Sequence, residues 1–398
     1  MEHSSFVKPR YDTGGFASLP EQIKGYFING EYDTIILFFL DSFGWNFFEK
    51  FQDMPFLKQM GGGGAVRQLT AQFPSTTADQ VTCMHTGLPV GASGVFEWYY
   101  YEPQLDEIIA PLLFSHAGTT VRETLKSTGI DPRCLYPTRT LYQDLRRSGV
   151  APFVFQDKEF TPSTFSDILL DGAVVHPYTR FTDALGKLED ILSHDQVPAY
   201  FYIYYDKIDA RCHEYGPNSP QVEAEIRYIL TTLEQVLAIK YSWQRRKVLL
   251  ILTADHGQAE IDPVTTIYLN LDHHLAGFER FIRFNRKREL LVPAGSSRDM
   301  FLYIKDGLLD EAEGFLAERL EGRAEVVNVR TLIDDGYFGP VISSEFLGRV
   351  GDLVVLPYRH ESVWWYEKDK FVQKYYGQHG GLTQEEMLVP MVMYELSP

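Results

Sequence analysis

The sequence predicts an α/β protein: a doubly wound, mostly parallel sheet flanked by helices, with a small inserted α+β cap. Two observations predict it. Three apolar runs (Asp33–Leu40, Tyr200–Tyr205 and Val248–Leu252) each lead into an aspartate, at Asp41, Asp206 and Asp255. Continuous apolar runs of this length suit parallel strands covered on both faces. Helical patterns lie between the runs, and that alternation builds a parallel sheet with helices on both sides. In such sheets ligands bind at the carboxyl ends of the strands, where these aspartates fall.

Taken in order, the first run is followed by a helical pattern over Trp45–Met60 and a flexible turn, Gly61–Gly64. Ala65-Val66 come after that turn, where a phosphate-cradling P-loop needs Lys-Ser/Thr. Phe73-Pro74-Ser75-Thr76-Thr77 then carries the start signals of a helix running to Thr86. Further helical patterns cover Thr120–Ser127, Leu141–Ser148 and Gln221–Ile239. The stretch Gln258–Phe346 breaks the alternation with a basic cluster (Arg280 to Arg288), strand-like Met300–Ile304 and Glu325–Val329, and helix-like Leu309–Leu320. We read 258–346 as the cap, and 1–257 with 347–398 as the core. Gly351–Leu356 reads as the return to the main sheet.

Composition narrows the chemistry. With 398 residues, core size is not limiting. The 37 Lys+Arg against 54 Asp+Glu give a net charge of −17, which argues against docking on nucleic acid or anionic lipid through bulk charge. The longest early apolar run, Ile35–Leu40, falls far short of the roughly 20 residues of a spanning helix. Met1–Arg10 has no apolar signal region, so a cytoplasmic protein is expected. Three scattered cysteines exclude a disulfide framework and a cysteine-only zinc site, so a metal centre here needs His and carboxylates.

Those residues are present at the predicted strand ends. Asp41 ends the first run, and Asp209 and His213, spaced i, i+4, come after the second. Asp255-His256-Gly257 ends the third, and His379 lies in Gly377-Gln378-His379-Gly380-Gly381. Three Asp and three His at one sheet edge are about what two zinc-like ions require. Singly, each has an ordinary reading as a cap, turn or surface residue; the ordered set favours metal. The Ser/Thr cluster before the helix reads equally as an N-cap or as a hydroxyl nucleophile beside helix N–H groups that hold phosphate oxygens.

These pieces resemble the alkaline phosphatase superfamily, in its type I phosphodiesterase / nucleotide pyrophosphatase branch. The resembling segments are the strand into Asp41, Phe73–Thr77 with Thr86-Gly87-Leu88-Pro89, Asp209-x-x-x-His213-x-x-Gly216-Pro217, Ala254–Gly257 and Gly377–Gly381. The resemblance implies two divalent ions, zinc by preference with manganese as the alternative. Asp41, Asp255 and His256 would hold one beside Thr77; Asp209, His213 and His379 would hold the other. It further implies that Thr77 attacks a phosphodiester or pyrophosphate bond of a small phosphate ester, through a phospho-threonine intermediate. A phosphomonoesterase, a phosphonate-bond hydrolase or a metal-dependent phosphomutase would use the same site. A non-catalytic phosphate-binding module is the alternative from another class, disfavoured because all seven positions are retained.

Two positions depart from the branch. Gln80 stands where the branch has a phosphate-touching Asn, and is taken as a substrate contact; Ser93 stands where it has a His. Cys83 is followed by Met84-His85 rather than by the sulfatase pattern, which disfavours sulfate esters. His85, His273 and His274 read as packed or surface histidines, and Arg280 to Arg288 as a solvated face or an anion-attracting patch. Phe96–Tyr101, with Trp98 and Tyr99, reads as core packing or a pocket wall for a flat leaving group.

Overall fold

Three wholly buried parallel strands form the middle of the central sheet: β1 (Thr34–Leu40), β5 (Ala199–Tyr205) and β6 (Val248–Thr253). They come from a computed structural model that describes residues 6–194, 198–238 and 247–396. Four more strands complete the sheet: β2 (Ala65–Thr70), β3 (Ala151–Asp157), β4 (Val174–Tyr178) and β7 (Leu388–Leu396). The spatial order is β2-β7-β6-β1-β5-β3-β4, and only β7 runs antiparallel to its neighbours. This is the doubly wound sheet predicted. Thr34 pairs with both Ala199 and Val248, and Phe39 with both Tyr204 and Thr253. The carboxyl ends of β5, β1 and β6 are therefore level, and the residues just beyond the three strands meet at one edge.

Several elements differ from expectation. The Trp45–Met60 pattern is two helices, Trp45–Phe51 and Pro55–Gly63, because Pro55 lacks the N–H to continue the first. Gly61 to Gly63 belong to the second helix rather than to a turn. At Gly63 and the following Gly64 the missing side chain serves packing: a Cβ on Gly63 would lie 2.8 Å from the Tyr394 ring, and one on Gly64 1.9 Å from the Met393 carbonyl oxygen. Within Thr120–Ser127 only a 3-10 turn at Thr124–Thr128 forms. The late helix covers Pro220–Ala238, with Ile239 outside the described residues.

The largest correction concerns Gly351–Leu356. This segment does not rejoin the central sheet. Leu353–Pro357 is the middle strand of a three-stranded antiparallel sheet between Met300–Leu302 and Ala324–Asn328. Its two faces are covered alternately: Val354 and Leu356 pack with Phe96, Phe301 and Phe346, while Leu353 and Val355 pack with Phe278, Phe281 and Leu316. Burial on both faces is what made it read as a core strand. Leu388–Leu396 is the strand that returns.

A second segment joins this unit. The hairpin strands Tyr100–Glu102 and Glu107–Ala110 come just after Phe96, whose ring lies 5.1 Å from Phe301 and 5.6 Å from Phe346. Buried Arg349 pairs with Glu102 at 2.8 Å. Three side chains of the basic cluster meet the same junction: Arg286 pairs with Asp106, Lys287 with Glu107, and Arg283 lies over the Tyr101 and Tyr303 rings, while Arg280 pairs with Glu311.

Candidate active site

The level strand ends bring all seven singled-out residues together. Asp41 leaves β1 with its N–H donating to Tyr205 O at 2.9 Å, and its Oδ2 accepts from the Tyr204 hydroxyl. Asp255 Oδ1 accepts from Ser42 N at 3.0 Å and His256 N at 2.9 Å. That leaves Asp41 Oδ1 and Asp255 Oδ2, both buried and without a hydrogen-bond partner among the described residues. His256 Nε2 faces them at 3.6 and 3.5 Å, and lies 3.2 Å from Thr77 Oγ1.

The second group forms beside the first. Asp209 and His213 lie one turn apart on the helix Lys207–Tyr215, with His213 Nε2 3.3 Å from Asp209 Oδ2. His379 Nε2 is 3.7 Å from Asp209 Oδ1, and its ring stacks on His256 at 3.7 Å. Two sets hold ligand atoms mutually within 4.8 Å: Asp41, Asp255 and His256, and Asp209, His256 and His379. His256 thus stands between the two groups, and His213 joins the second through Asp209.

All three imidazoles share one device. Nδ1 of His256 contacts Gly257 O at 3.0 Å, Nδ1 of His213 contacts Gly377 O at 2.8 Å, and Nδ1 of His379 contacts Ser75 O at 3.1 Å. A carbonyl oxygen only accepts, so in each ring Nδ1 donates and Nε2 holds the lone pair in the neutral form. Each lone pair is turned toward the carboxylates, the arrangement backbone partners impose on metal-ligating histidines. Electrostatics agree. Burial, then the charges of Asp255 and Asp209, drives the Asp41 carboxyl well above its usual range, and burial with the nearby His256 drives His379 well below. Burial opposes ionisation of Asp209, but His213 above all outweighs it and holds its carboxyl low, and Asp209 in return holds His213 above its usual range against burial. Orphaned buried carboxylate oxygens beside converging imidazole lone pairs fit divalent cations.

The structure also separates the three candidate hydroxyls. Ser75 is fully buried, donating to Gly381 O at 2.7 Å and accepting from Gly380 N at 3.2 Å. Thr76 is buried against Glu97. Thr77 is half-buried at the first position of the helix Thr77–Thr86 and lines a cleft of about 200 Å³ with Asp41 and Asp209. Residues 35–382 of the chain match the type I phosphodiesterase / nucleotide pyrophosphatase family. The chain belongs to that family.

Individual relatives agree. Venom phosphodiesterase CdcPDE of Crotalus durissus collilineatus is 26% identical over 240 residues, which is 58% of this chain and 27% of that protein. The match therefore spans about a quarter of the length of that relative. Murine ectonucleotide pyrophosphatase / phosphodiesterase 5 has a TM-score of 0.65 at 17% identity, over 90% of this chain and 87% of its own. Phosphonoacetate hydrolase from Sinorhizobium meliloti 1021, in complex with phosphonoformate, has a TM-score of 0.61 at 17% identity, over 90% and 89%. These two share the fold.

In this type I phosphodiesterase family member, Gln80 is not brought to the cleft. It is fully buried, its Nε2 donating to Gln72 O and its Oε1 accepting from Gln72 Nε2, each at 3.3 Å. Ser93 is likewise turned to backbone, contacting Val90 O and Val95 N. Trp98 lines the cleft, whereas Tyr99 packs against Trp364 and Phe371. His85 lines the cleft too, bonded through Nδ1 to the Tyr142 hydroxyl and pushed by burial down to about 3, hence neutral. His273 and His274 are exposed beside Asp272, apart from the site.

Four supporting residues escaped the sequence reading. Gln258 Nε2 donates to Asp209 Oδ1 at 2.7 Å, and Tyr204 holds Asp41. Arg298, fully buried, forms a two-pronged pair with buried Glu386 at 3.1 and 2.9 Å. Glu386 also accepts from Gly381 N and the Thr383 hydroxyl, so the pair fixes the loop that carries His379. The spacing of 88 residues between the partners leaves no local signal.

Glu97 yields a pH prediction. Burial raises its carboxyl to about 8, against the opposing hydrogen bond from Trp98 N–H. The unfolded chain releases this proton at ordinary carboxylate pH, so the folded state binds more protons between about 4.5 and 8 and stability falls as pH rises through that window. Buried Asp79 and Asp299 are raised as well and act with the same sign. In Glu97→Gln, Tm measured from about pH 5 to 9 is expected to fall less steeply than in wild type. Identical slopes would exclude Glu97 as a source.

Proposed function

We propose that the chain is a two-metal hydrolase of phosphodiester or pyrophosphate bonds acting through Thr77. The observation that carries this reading is the half-exposed Thr77 hydroxyl, 3.2 Å from His256 Nε2 among donor atoms that lack protein partners. Bound divalent cations, zinc by preference, would lower the hydroxyl pKa and offset charge on the phosphoryl oxygens. Thr77 Oγ1 attacks phosphorus in line, the bond to the leaving oxygen breaks, and the phosphoryl group rests on Thr77. Water then attacks that phosphorus and restores the hydroxyl. First-turn N–H groups of the helix, which have no intrahelical acceptor, are available to the non-bridging oxygens. Asp41, Asp209, Asp255, His213, His256 and His379 would hold the cations, with Tyr204, Gln258 and the Nδ1 contacts orienting these side chains.

Elemental analysis and turnover of bis-p-nitrophenyl phosphate test this. The expected result is two divalent ions per chain and hydrolysis that EDTA abolishes and added Zn²⁺ or Mn²⁺ restores. A protein that binds no divalent ion, or keeps full turnover in EDTA, would refute it. Comparing kcat/KM for a diester, a monoester and phosphonoacetate assigns the bond cleaved.

A further inference from the structure

The cleft that opens beside Thr77 has an uneven wall. Leu112, Leu113, Phe160, Phe165 and Leu170 make it apolar, and Arg122 is the one Arg or Lys that lines it. Arg122 is half-buried, its guanidinium 5.5 Å from the centre of the Phe160 ring. Among the described residues it makes no hydrogen bond and no ion pair, unlike the basic side chains at the cap junction. Glu159 and then Glu123 act on it through charge, but neither makes an ion pair or hydrogen bond with it among the described residues. Glu123 is taken by Thr164 N at 2.8 Å, by the Thr164 hydroxyl and by Lys126 at 3.1 Å. Asp206, which also lines the cleft, pairs through Oδ2 with Lys207 at 2.9 Å, and its buried Oδ1 does not reach Arg122. A partly desolvated guanidinium with its five donors unused, beside an aromatic ring, suits an oxyanion of the bound molecule.

We propose that Arg122 is a specificity-determining residue for a second negative charge. The substrate is then a phosphate ester whose non-reacting arm runs along the apolar wall and ends in another phosphate or a carboxylate. This rests on the reading of Thr77 as the reacting centre, and fixes the substrate class within it.

The test uses binding, so it does not depend on turnover. The metal-loaded protein is titrated calorimetrically with propane- to octanediol bisphosphates and with alkyl monophosphates of the same lengths. At one or more lengths the bisphosphate is expected to bind roughly tenfold or more tightly, the scale of a charge-assisted contact. Arg122→Gln is expected to bring that ratio close to one, and Arg122→Lys to keep part of it. Arg330→Gln, at a surface arginine paired with Asp334, is expected to leave the ratio intact. Equal binding of both series by wild type, no binding of either, or an unchanged ratio in Arg122→Gln would each overturn the proposal. Loss of diester turnover with the ratio preserved would instead refute the hydrolase reading.

Discussion

Thr77→Ala is expected to lower turnover of bis-p-nitrophenyl phosphate by at least about 10³-fold, the scale on which nucleophile removal acts in enzymes with a covalent intermediate. Metal content and Tm are expected to stay close to wild type, because the hydroxyl is half-exposed and its hydrogen-bond contact is His256 Nε2. The neighbouring hydroxyls give the opposite pattern. Ser75→Ala removes two buried hydrogen bonds that tie the nucleophile turn to Gly380 and Gly381. It is expected to cost about 1–3 kcal/mol of stability while turnover persists. If Ser75→Ala abolished turnover and Thr77→Ala retained it, the nucleophile would be assigned to the wrong residue.

Arg298→Met is expected to be the most destabilising single change, by about 3–5 kcal/mol in urea denaturation, since it leaves the Glu386 carboxylate buried without its cation. Because Glu386 also holds Gly381 N and the Thr383 hydroxyl, the loop bearing His379 is released as well. Metal affinity is therefore expected to fall together with stability. The double variant Arg298→Met/Glu386→Leu is expected to recover part of the stability, since no charge remains buried there. A loss below about 1 kcal/mol in the single variant would show that water reaches Glu386 and that the pair does not anchor the loop.

The candidate site was legible because its aspartates lie just past strands that announce themselves. β1, β5 and β6 are buried on both faces, so their sequences are almost wholly apolar, and Asp41, Asp209 and Asp255 stand out just beyond them. The outer strands carry no such signal. Val174–Tyr178 is largely half-buried or exposed and contains a proline, so neither alternation nor an apolar run marks it. The same apolar criterion misplaced Leu353–Pro357, since burial by a cap and burial by flanking helices select the same residues. Its position relative to Thr77 predicts Gln80 as a substrate contact, while its pairing with Gln72 on the preceding segment has no mark in the sequence. Arg298–Glu386 joins segments remote in the chain, and nothing local distinguishes a buried ion pair from two surface charges.

The placement of Leu353–Pro357 governs what can be cut from this protein. Its hydrogen-bonding edges are filled by Met300–Leu302 on one side and Ala324–Asn328 on the other, both before residue 346. Its apolar side chains rest partly on Phe96 and Tyr100, more than 250 residues earlier in the chain. Excising 258–346 as a contiguous cassette would strand a fully apolar strand with two open edges, a template for aggregation. Exchange of this unit between relatives would have to transplant two separate stretches of chain and the Arg349–Glu102 pair that joins them.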